Sequence, residues 1–480
     1  MRVLFVSSEA HPLVKTGGLG DVAGALPQAL VAEGVDVRLL IPAYRQVLDH
    51  LDTVEPLISL GDQLGMGEVR VLQGVSHALP LSIWLVDCPV LFDRPGGPYQ
   101  DQQGVDWVDN GLRFALFSRV AALLGVTGRL TGWYPDLIHL NDWQSGLVPV
   151  WLRQWGASRP ATLFTIHNLQ YQGLFPKTLM SEIGLPDHFY DMHGLEYHQQ
   201  LSMLKGGLYY ADRLSTVSPT YALEVQSEEM GEGLNGLLSD RREQLVGILN
   251  GIDTRIWDPQ HDPDIAAPFD KERLDERDRN RAPLLIEMGL PVTEPRVPLF
   301  GLVSRLVPQK GVDLLLAALP EVLESGAQLV VLGSGMPLLE QQLRQMQQQW
   351  PTQLAVWVGY SEPLAHRLVA GVDVLLVPSR FEPCGLTQMY ALRYGALPLV
   401  RKTGGLADTV DEQSGFLFEE VSVESLRGAM NQVLDAFQDQ AAWRERQQYA
   451  MGRALDWSRS AKQYKAVYQQ LLPTDTGSMK

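Results

Sequence analysis

The sequence has few cysteines: Cys88 and Cys384 are the only two in 480 residues, and they lie far apart. That excludes a disulfide framework and a cysteine-built metal cluster, and it fits a reducing cytosol. Positive charge is also short. Lys and Arg number 39 against 56 Asp and Glu, a net charge of −17 with a pI of about 5.0. Nucleic acid and anionic membranes both require a basic footprint, so neither is expected as a partner. No apolar run is long enough to span a bilayer. The N-terminus, RVLFVSS, enters a strand at once and has no leader layout. A cytoplasmic protein is expected.

What is present is ordinary for a globular chain: 45% hydrophobic and 20% charged residues. The length exceeds what one core usually serves, so two domains are expected. Strands alternate with helices throughout, which predicts a doubly wound α/β architecture.

The stretch from Pro378 to Val410 organises the rest. The apolar strand VDVLLVP enters a polar turn that carries Glu382 between Phe381 and Pro383. Gly385, Leu386 and Thr387 then open a helix. A second apolar strand, ALPLV, ends at Arg401 and Lys402, and Thr403-Gly404-Gly405 opens another helix. Free N–H groups and the dipole at such helix ends favour anions. A fixed acid beside two anion sites suggests a sugar nucleotide, its diphosphate on the helix ends and its sugar toward Glu382.

An internal echo supports this. KTGGLGD from Lys15 and KTGGLAD from Lys402 agree at six of seven positions. For Lys15, Gly17 and Gly18 the simple reading is a tight turn. The sharper reading is backbone approach to a phosphate or sugar, with Lys15 as counter-charge. Two halves built on one plan would face each other across a cleft.

Other candidates follow in chain order. The loop FDRPGGPYQDQQGVDWVDNG suits a sugar-binding wall, where Tyr99 and Trp107 would stack on glucose faces or serve only loop packing. Strand LIHLN ends in Asp142-Trp143, where Asp142 is either a helix cap or a ligand contact. Strand ATLFTI ends in His167-Asn168, one strand away; a histidine there is either a hydrogen-bonded core residue or a site residue. The segment from about Trp257 to Val297 is charged and reads as a linker with an entry helix. Asp262-Pro263-Asp264 has two-carboxylate metal spacing, but it reads as a turn, and no metal site is expected. Arg305 and Lys310 share one strand-to-helix connection, so both can reach one anion. Gly333 and Gly359-Tyr360 end two further strands, where an adenosine would lie.

FEPCGLTQMYALRYG followed by KTGGLADTV resembles the signature of bacterial glycogen synthases and plant starch synthases, retaining glucosyltransferases of the two-domain GT-B type. The wider retaining GT-B pattern has two glutamates eight positions apart; here the first is Glu382 but the second position holds Tyr390, a departure usual for the synthases. The resemblance covers essentially the whole chain. It implies a GT-B fold of two Rossmann-like domains: residues 1–255 on the acceptor-glucan side, 256–456 binding ADP-glucose, and a C-terminal helix over 457–480 returning to the first. It implies transfer of glucose from ADP-glucose to the non-reducing end of an α-1,4-glucan with retention. With Arg305, Lys310 and the helix ends to meet the leaving diphosphate, no metal or other cofactor is expected. Residue reading and resemblance together make Glu382, His167, Arg305, Lys310 and Asp142 the catalytic candidates. ADP-glucose would be bound by Lys15, Gly17, Gly18, Gly333, Gly359, Tyr360, Gly385, Leu386 and Thr387, and the acceptor by Tyr99, Trp143 and Asn168. The alternatives are a retaining GT-B transferase with another donor or acceptor, and an inactive glucan-binding regulatory paralogue. A phosphorylase would need a Schiff-base lysine, for which no motif is seen.

Overall fold

The structure is a computed structural model that describes residues 1–127, 131–156 and 159–472. The chain forms two compact α/β units. Unit 1 is Met1–Gly251 together with the chain from Trp457 onward, and unit 2 is Ile252–Asp456. The division falls at Gly251 because Ile252 already bridges in parallel to Asp456 inside unit 2.

Unit 1 contains β1 Arg2–Val6, β2 Asp36–Pro42, β3 Thr53–Asp62, β4 Glu68–Val75, β5 Ser82–Asp87, β6 Leu137–Asn141 and β7 Ala161–Ile166. Then come β8 Leu174–Pro176, β9 Glu196–Tyr197, β10 Gln200–Ser202, β11 Arg213–Thr216 and β12 Leu245–Gly247. Its main sheet has the order β12-β11-β7-β6-β1-β2-β5-β4-β3. All neighbours are parallel except β3 with β4 and β4 with β5. Runs such as Val3–Val6 in β1 and Leu137–Asn141 in β6 are buried on both faces, as parallel strands between helices must be. β3 was not legible in the sequence: it is an edge strand, largely exposed, and carries Pro56.

The expected C-terminal helix runs over Trp457–Leu471, and residues 473–480 lie outside the described ones. Its apolar face buries Trp457, Ala461, Tyr464, Val467 and Tyr468 within unit 1. The Tyr468 hydroxyl pairs with Nδ1 of buried His139 on β6 at 2.7 Å.

Unit 2 contains β13 Leu299–Val303, β14 Gln328–Gly333, β15 Leu354–Val358, β16 Val374–Val377, β17 Leu397–Arg401 and β18 Phe416–Phe418. They form one wholly parallel sheet in the order β15-β14-β13-β16-β17-β18. Counted within the unit, that is 3-2-1-4-5-6, the doubly wound order. The segment from Trp257 to Val297 is not a linker: it is built into unit 2. The Arg277 guanidinium is buried and donates to the carbonyls of Tyr394 and Val372 at 2.6 and 2.5 Å. Arg281 and Arg296 both pair with the fully buried Asp373. Burial draws the Arg277 pKa down to about 10. Charge made the segment read as a linker, whereas its arginines serve buried carbonyls and a buried carboxylate.

In open parallel sheets, ligands bind beyond the strand C-termini where the winding reverses. In unit 2 that point lies between β13 and β16, and in unit 1 between β1 and β6.

Candidate active site

At the switch point of unit 2 the chain leaves β16 through Pro378-Ser379-Arg380 and reaches Glu382. Glu382 is buried. Its Oε2 accepts from Lys310 Nζ at 2.5 Å and from Ser379 Oγ at 2.9 Å. Lys310 arrives from the other side of the reversal, in the short turn of helix Pro308–Lys310 after β13. The winding thus brings together two residues 72 positions apart in sequence. Among the described residues Oε1 of Glu382 has no hydrogen-bond donor, which leaves it available to a substrate hydroxyl. Arg305, at the C-terminal end of β13, is exposed.

The turn then reaches Gly385, whose φ of +73° requires glycine. Helix Thr387–Tyr394 follows. Gly385, Leu386 and Thr387 are half-buried, and among the described residues their backbone N–H groups have no acceptor. That is the arrangement of an anion-binding helix end.

The second glycine pair behaves differently from its expected role. The N–H of Gly405 donates to the carbonyls of Glu382 and Pro383, both at 3.1 Å. A Cβ on Gly404 would lie 2.0 Å from the Glu382 carbonyl oxygen, and one on Gly405 would lie 2.3 Å from that of Cys384. Lys402 pairs with exposed Glu419 at 3.2 Å. This helix end holds the Glu382 turn and is not open to an anion. The echo with Lys15 is one of sequence; the environments differ. Nothing lies within 4 Å of where a Cβ on Gly17 or Gly18 would sit.

Gly333 also has a packing reason. Its missing side chain admits the Ser304 carbonyl, which would lie 2.1 Å from a Cβ. Gly359 has φ +149°, and Tyr360 beside it is 76% exposed, its hydroxyl donating to Glu362. Tyr390, at the position of the absent second glutamate, stacks on Trp257 at 3.7 Å and 9°. Its ring is part of an aromatic stack that includes His366 on the opposite interface of Trp257, 3.8 Å away. Asp262, Asp264 and His366 offer ligand atoms close together. However, Asp262 already accepts from His366, Tyr394 and the Asp264 N–H, at 2.7, 2.5 and 2.9 Å. The Asp262–Asp264 contact is the turn expected there.

At the switch point of unit 1, β1 leads into Ser7-Ser8-Glu9. Glu9 escaped the sequence reading, yet it organises the Gly-rich loop. Its Oε2 accepts from the N–H groups of Thr16 and Gly17 at 2.5 and 3.3 Å. Its Oε1 accepts from the Thr16 hydroxyl at 2.7 Å and the Tyr99 hydroxyl at 2.6 Å. Tyr99 is therefore tethered by its hydroxyl, and its ring packs near Phe114 and Trp143. Trp107 packs in the same loop under Arg94. Lys15 pairs with Asp21 at 2.7 Å. A strand end followed seven residues later by Thr-Gly was the available signal for Glu9, but nothing local marks that contact.

Asp142, after β6, has φ +53°, a strained value for a residue with a side chain. It makes no side-chain cap bond to the following turn. Instead its Oδ1 accepts the His167 N–H at 2.7 Å. Burial, reinforced by repulsion from Glu9, raises its pKa to about 7, against the pull of the His167 and Asn168 N–H groups. His167 is set by Asn141. The Asn141 amide donates to the Val6 carbonyl at 2.9 Å, so its Oδ1 faces His167 Nε2, also at 2.9 Å. That assigns the proton to Nε2 and leaves Nδ1 as a base. Burial lowers the His167 pKa to about 3, so the ring is neutral. Asn168 turns its Oδ1 back to the Gln170 N–H, and Trp143 lies against Phe114 and Phe175.

Two doubly wound units, each with a polar constellation at its switch point, define a GT-B glycosyltransferase. Comparison with known proteins narrows this. Residues 2–240 match the family model described as starch synthase catalytic domain, and residues 297–436 match glycosyl transferases group 1. The chain is 48% identical to a glycogen synthase of Rhodospirillum rubrum, over 99% of both chains. It is 47% identical to one of Paramagnetospirillum magneticum, over 100% of this chain and 99% of that one. Among solved structures, the catalytic domain of starch synthase IV from Arabidopsis thaliana, bound to ADP and acarbose, superposes with a TM-score of 0.86. It is 32% identical and 98% of each chain is covered. Sucrose-phosphate synthase from Thermosynechococcus elongatus, at 18% identity and TM-score 0.59, shares the fold. The chain belongs to the glycogen synthase and starch synthase family of glucosyltransferases. Among the described residues no helix is long and apolar enough to cross a membrane.

Proposed function

We propose that this protein transfers glucose from ADP-glucose to the non-reducing 4-OH of an α-1,4-glucan, with retention, releasing ADP. The observation that carries the reading is the Lys310–Glu382 pair beside the unoccupied N–H groups of Gly385, Leu386 and Thr387. The bond to be broken joins the sugar carbon to a diphosphate oxygen. As it breaks, positive charge grows on the carbon and negative charge on the leaving group. Fixed donors aimed at that negative charge lower the barrier most. Lys310, Arg305 and the helix end supply them in unit 2. Glu382 holds the donor hydroxyls through its Oε1 and balances the growing positive charge. Gly359 and Tyr360 take the adenine, and Gly333 shapes the wall beneath it.

In unit 1, Lys15 with the open faces of Gly17 and Gly18 contacts the donor. Asp142 and neutral His167 line the place where sugar is handed on, and Tyr99, Trp143 and Asn168 shape the acceptor side. Cationic groups meet the leaving charge, so catalysis runs without a divalent metal. The ADP–acarbose complex of the plant relative supports the substrate classes. The test is to incubate the protein with ADP-glucose or UDP-glucose and glycogen in EDTA and measure released nucleotide. Release of ADP with chain elongation is expected. Glucan binding without turnover of either donor would instead favour a regulatory paralogue.

A further inference from the structure

The Glu382 turn is short, polar and bounded by two helix ends, and something must fix it to the accuracy that catalysis needs. Gln388 does this from below. It is fully buried, in the first turn of helix Thr387–Tyr394. Its Nε2 donates to the carbonyls of Cys384 and Gly385, both at 3.0 Å, and to Thr409 Oγ1 at 3.1 Å. Thr409 closes helix Gly404–Thr409, and its hydroxyl donates on to the Gly405 carbonyl at 2.5 Å. The Gly405 N–H in turn donates to Glu382 and Pro383. The hydrogen bonds form a circuit: turn, Gln388, Thr409, Gly405 and back to the turn. Gly404 and Gly405 have no side chains because the turn's carbonyls occupy that space.

We propose that Gln388 is a positioning residue which, with Thr409 and the Gly404-Gly405 pair, clamps the turn that carries Glu382 and the free N–H groups of Gly385, Leu386 and Thr387. The inference rests on the reading of that turn as the donor site. It gives the second glycine motif a mechanical role in place of anion binding. A single amide sets both the height of Glu382 and the aim of the helix end, because both lie within four residues of its acceptors. Loss of the clamp lets the turn rise, and a displacement of order 1 Å at a reacting group lowers rate by ~10²-fold.

The experiment compares wild type with Gln388→Met, which keeps the length and loses the donor, and Thr409→Val with Thr409→Ser. Each is checked for folding by circular dichroism. Then kcat, KM for ADP-glucose and calorimetric ADP affinity are measured per folded molecule. Gln388→Met is expected to lose ~10- to 100-fold in kcat and to bind ADP ~10-fold more weakly. Thr409→Val should show a smaller loss of both, and Thr409→Ser neither. A residue with only a structural role would lower the melting temperature and leave all three constants at wild-type values; that outcome overturns the proposal. If Gln388→Met does not fold, equality of Thr409→Val and Thr409→Ser overturns it. If wild type fails to turn over ADP-glucose, the functional reading fails by itself. The clamp is then judged on ADP affinity.

Discussion

Lys310→Met and Glu382→Gln, singly and together, test the site most directly. The two side chains meet at 2.5 Å with little exposure, 18% for Lys310 and 9% for Glu382. Methionine keeps most of the apolar stem of lysine and removes its charge. Among the described residues Glu382 is then left with Ser379 as its one side-chain donor, at 2.9 Å. Uncovering a buried carboxylate in this way costs ~3 kcal/mol. For a domain of this size that is a fall of ~6–12 °C in melting temperature. Glu382→Gln removes the charge that needed cover, so the double variant should recover most of the loss. The rates follow the same logic. Removing one preorganised donor to a developing anion costs ~10²- to 10³-fold in kcat, and Glu382→Gln should cost ~10²-fold or more. Independent residues would multiply to at least ~10⁴-fold. A pair that orients one another should not, and the double variant should be no slower than about the worse single one. That non-additivity of ~10²-fold corresponds to ~2.7 kcal/mol of coupling. The assays are ADP release under saturating ADP-glucose and glycogen, and thermal unfolding of the same samples. Strict additivity in both rate and stability would refute the idea that the pair works as one unit.

Other perturbations read other parts of the site. Tyr99→Phe keeps the ring and loses the 2.6 Å bond to Glu9, so the Lys15 loop should loosen and KM for ADP-glucose rise ~10-fold; wild-type kinetics would return Tyr99 to a stacking role. Asp142 and His167 should impose opposite pH slopes on stability. Asp142, raised to about 7, keeps its proton when folded and loses it when unfolded, so it withdraws stability as pH rises from ~4 toward 7. His167, lowered to about 3, stays neutral when folded while the unfolded chain takes up a proton below ~6.5, so it withdraws stability as pH falls from 6.5 toward 3. Denaturant titrations between pH 4.5 and 6.5 should therefore find Asp142→Asn gaining stability with pH relative to wild type, and His167→Gln losing it; identical slopes in all three would show that neither group titrates as described. Activity should survive EDTA, and a loss restored by Mn²⁺ or Mg²⁺ would place a metal in the reaction.

Legibility followed the physics of each signal. Strands buried on both faces, such as Val3–Val6 and Val374–Val377, announce themselves as apolar runs. The edge strand Thr53–Asp62 has no buried face to impose a period, and it was missed. Lys310 was picked out by its strand-to-helix connection and Glu382 by its Pro-bounded turn, and their pairing needed the winding reversal between β13 and β16. Glu9 was invisible because its donors are loop N–H groups and a tyrosine 90 positions away. The segment from Trp257 to Val297 was read as a linker with an entry helix from its charge; the helices are there, but the linker is not, because Arg277 and Arg281 serve buried acceptors of unit 2.

The sequence by itself determined the α/β plan, the strand ends that carry chemistry and the identity of the groups at them. Local pattern dictates these: buried strands are mostly apolar, turns at positive φ favour glycine, and anion sites need N–H groups or cations nearby. Tertiary structure alone decided how like motifs diverge. KTGGLGD and KTGGLAD are nearly the same string, yet one leaves its adjacent pair Gly17-Gly18 facing open space and the other presses Gly404-Gly405 against the Glu382 turn. A glycine records only that a side chain is excluded. Whether a ligand or the protein's own backbone fills that space depends on what the fold brings against it, and in unit 2 the neighbouring strand connection arrives first.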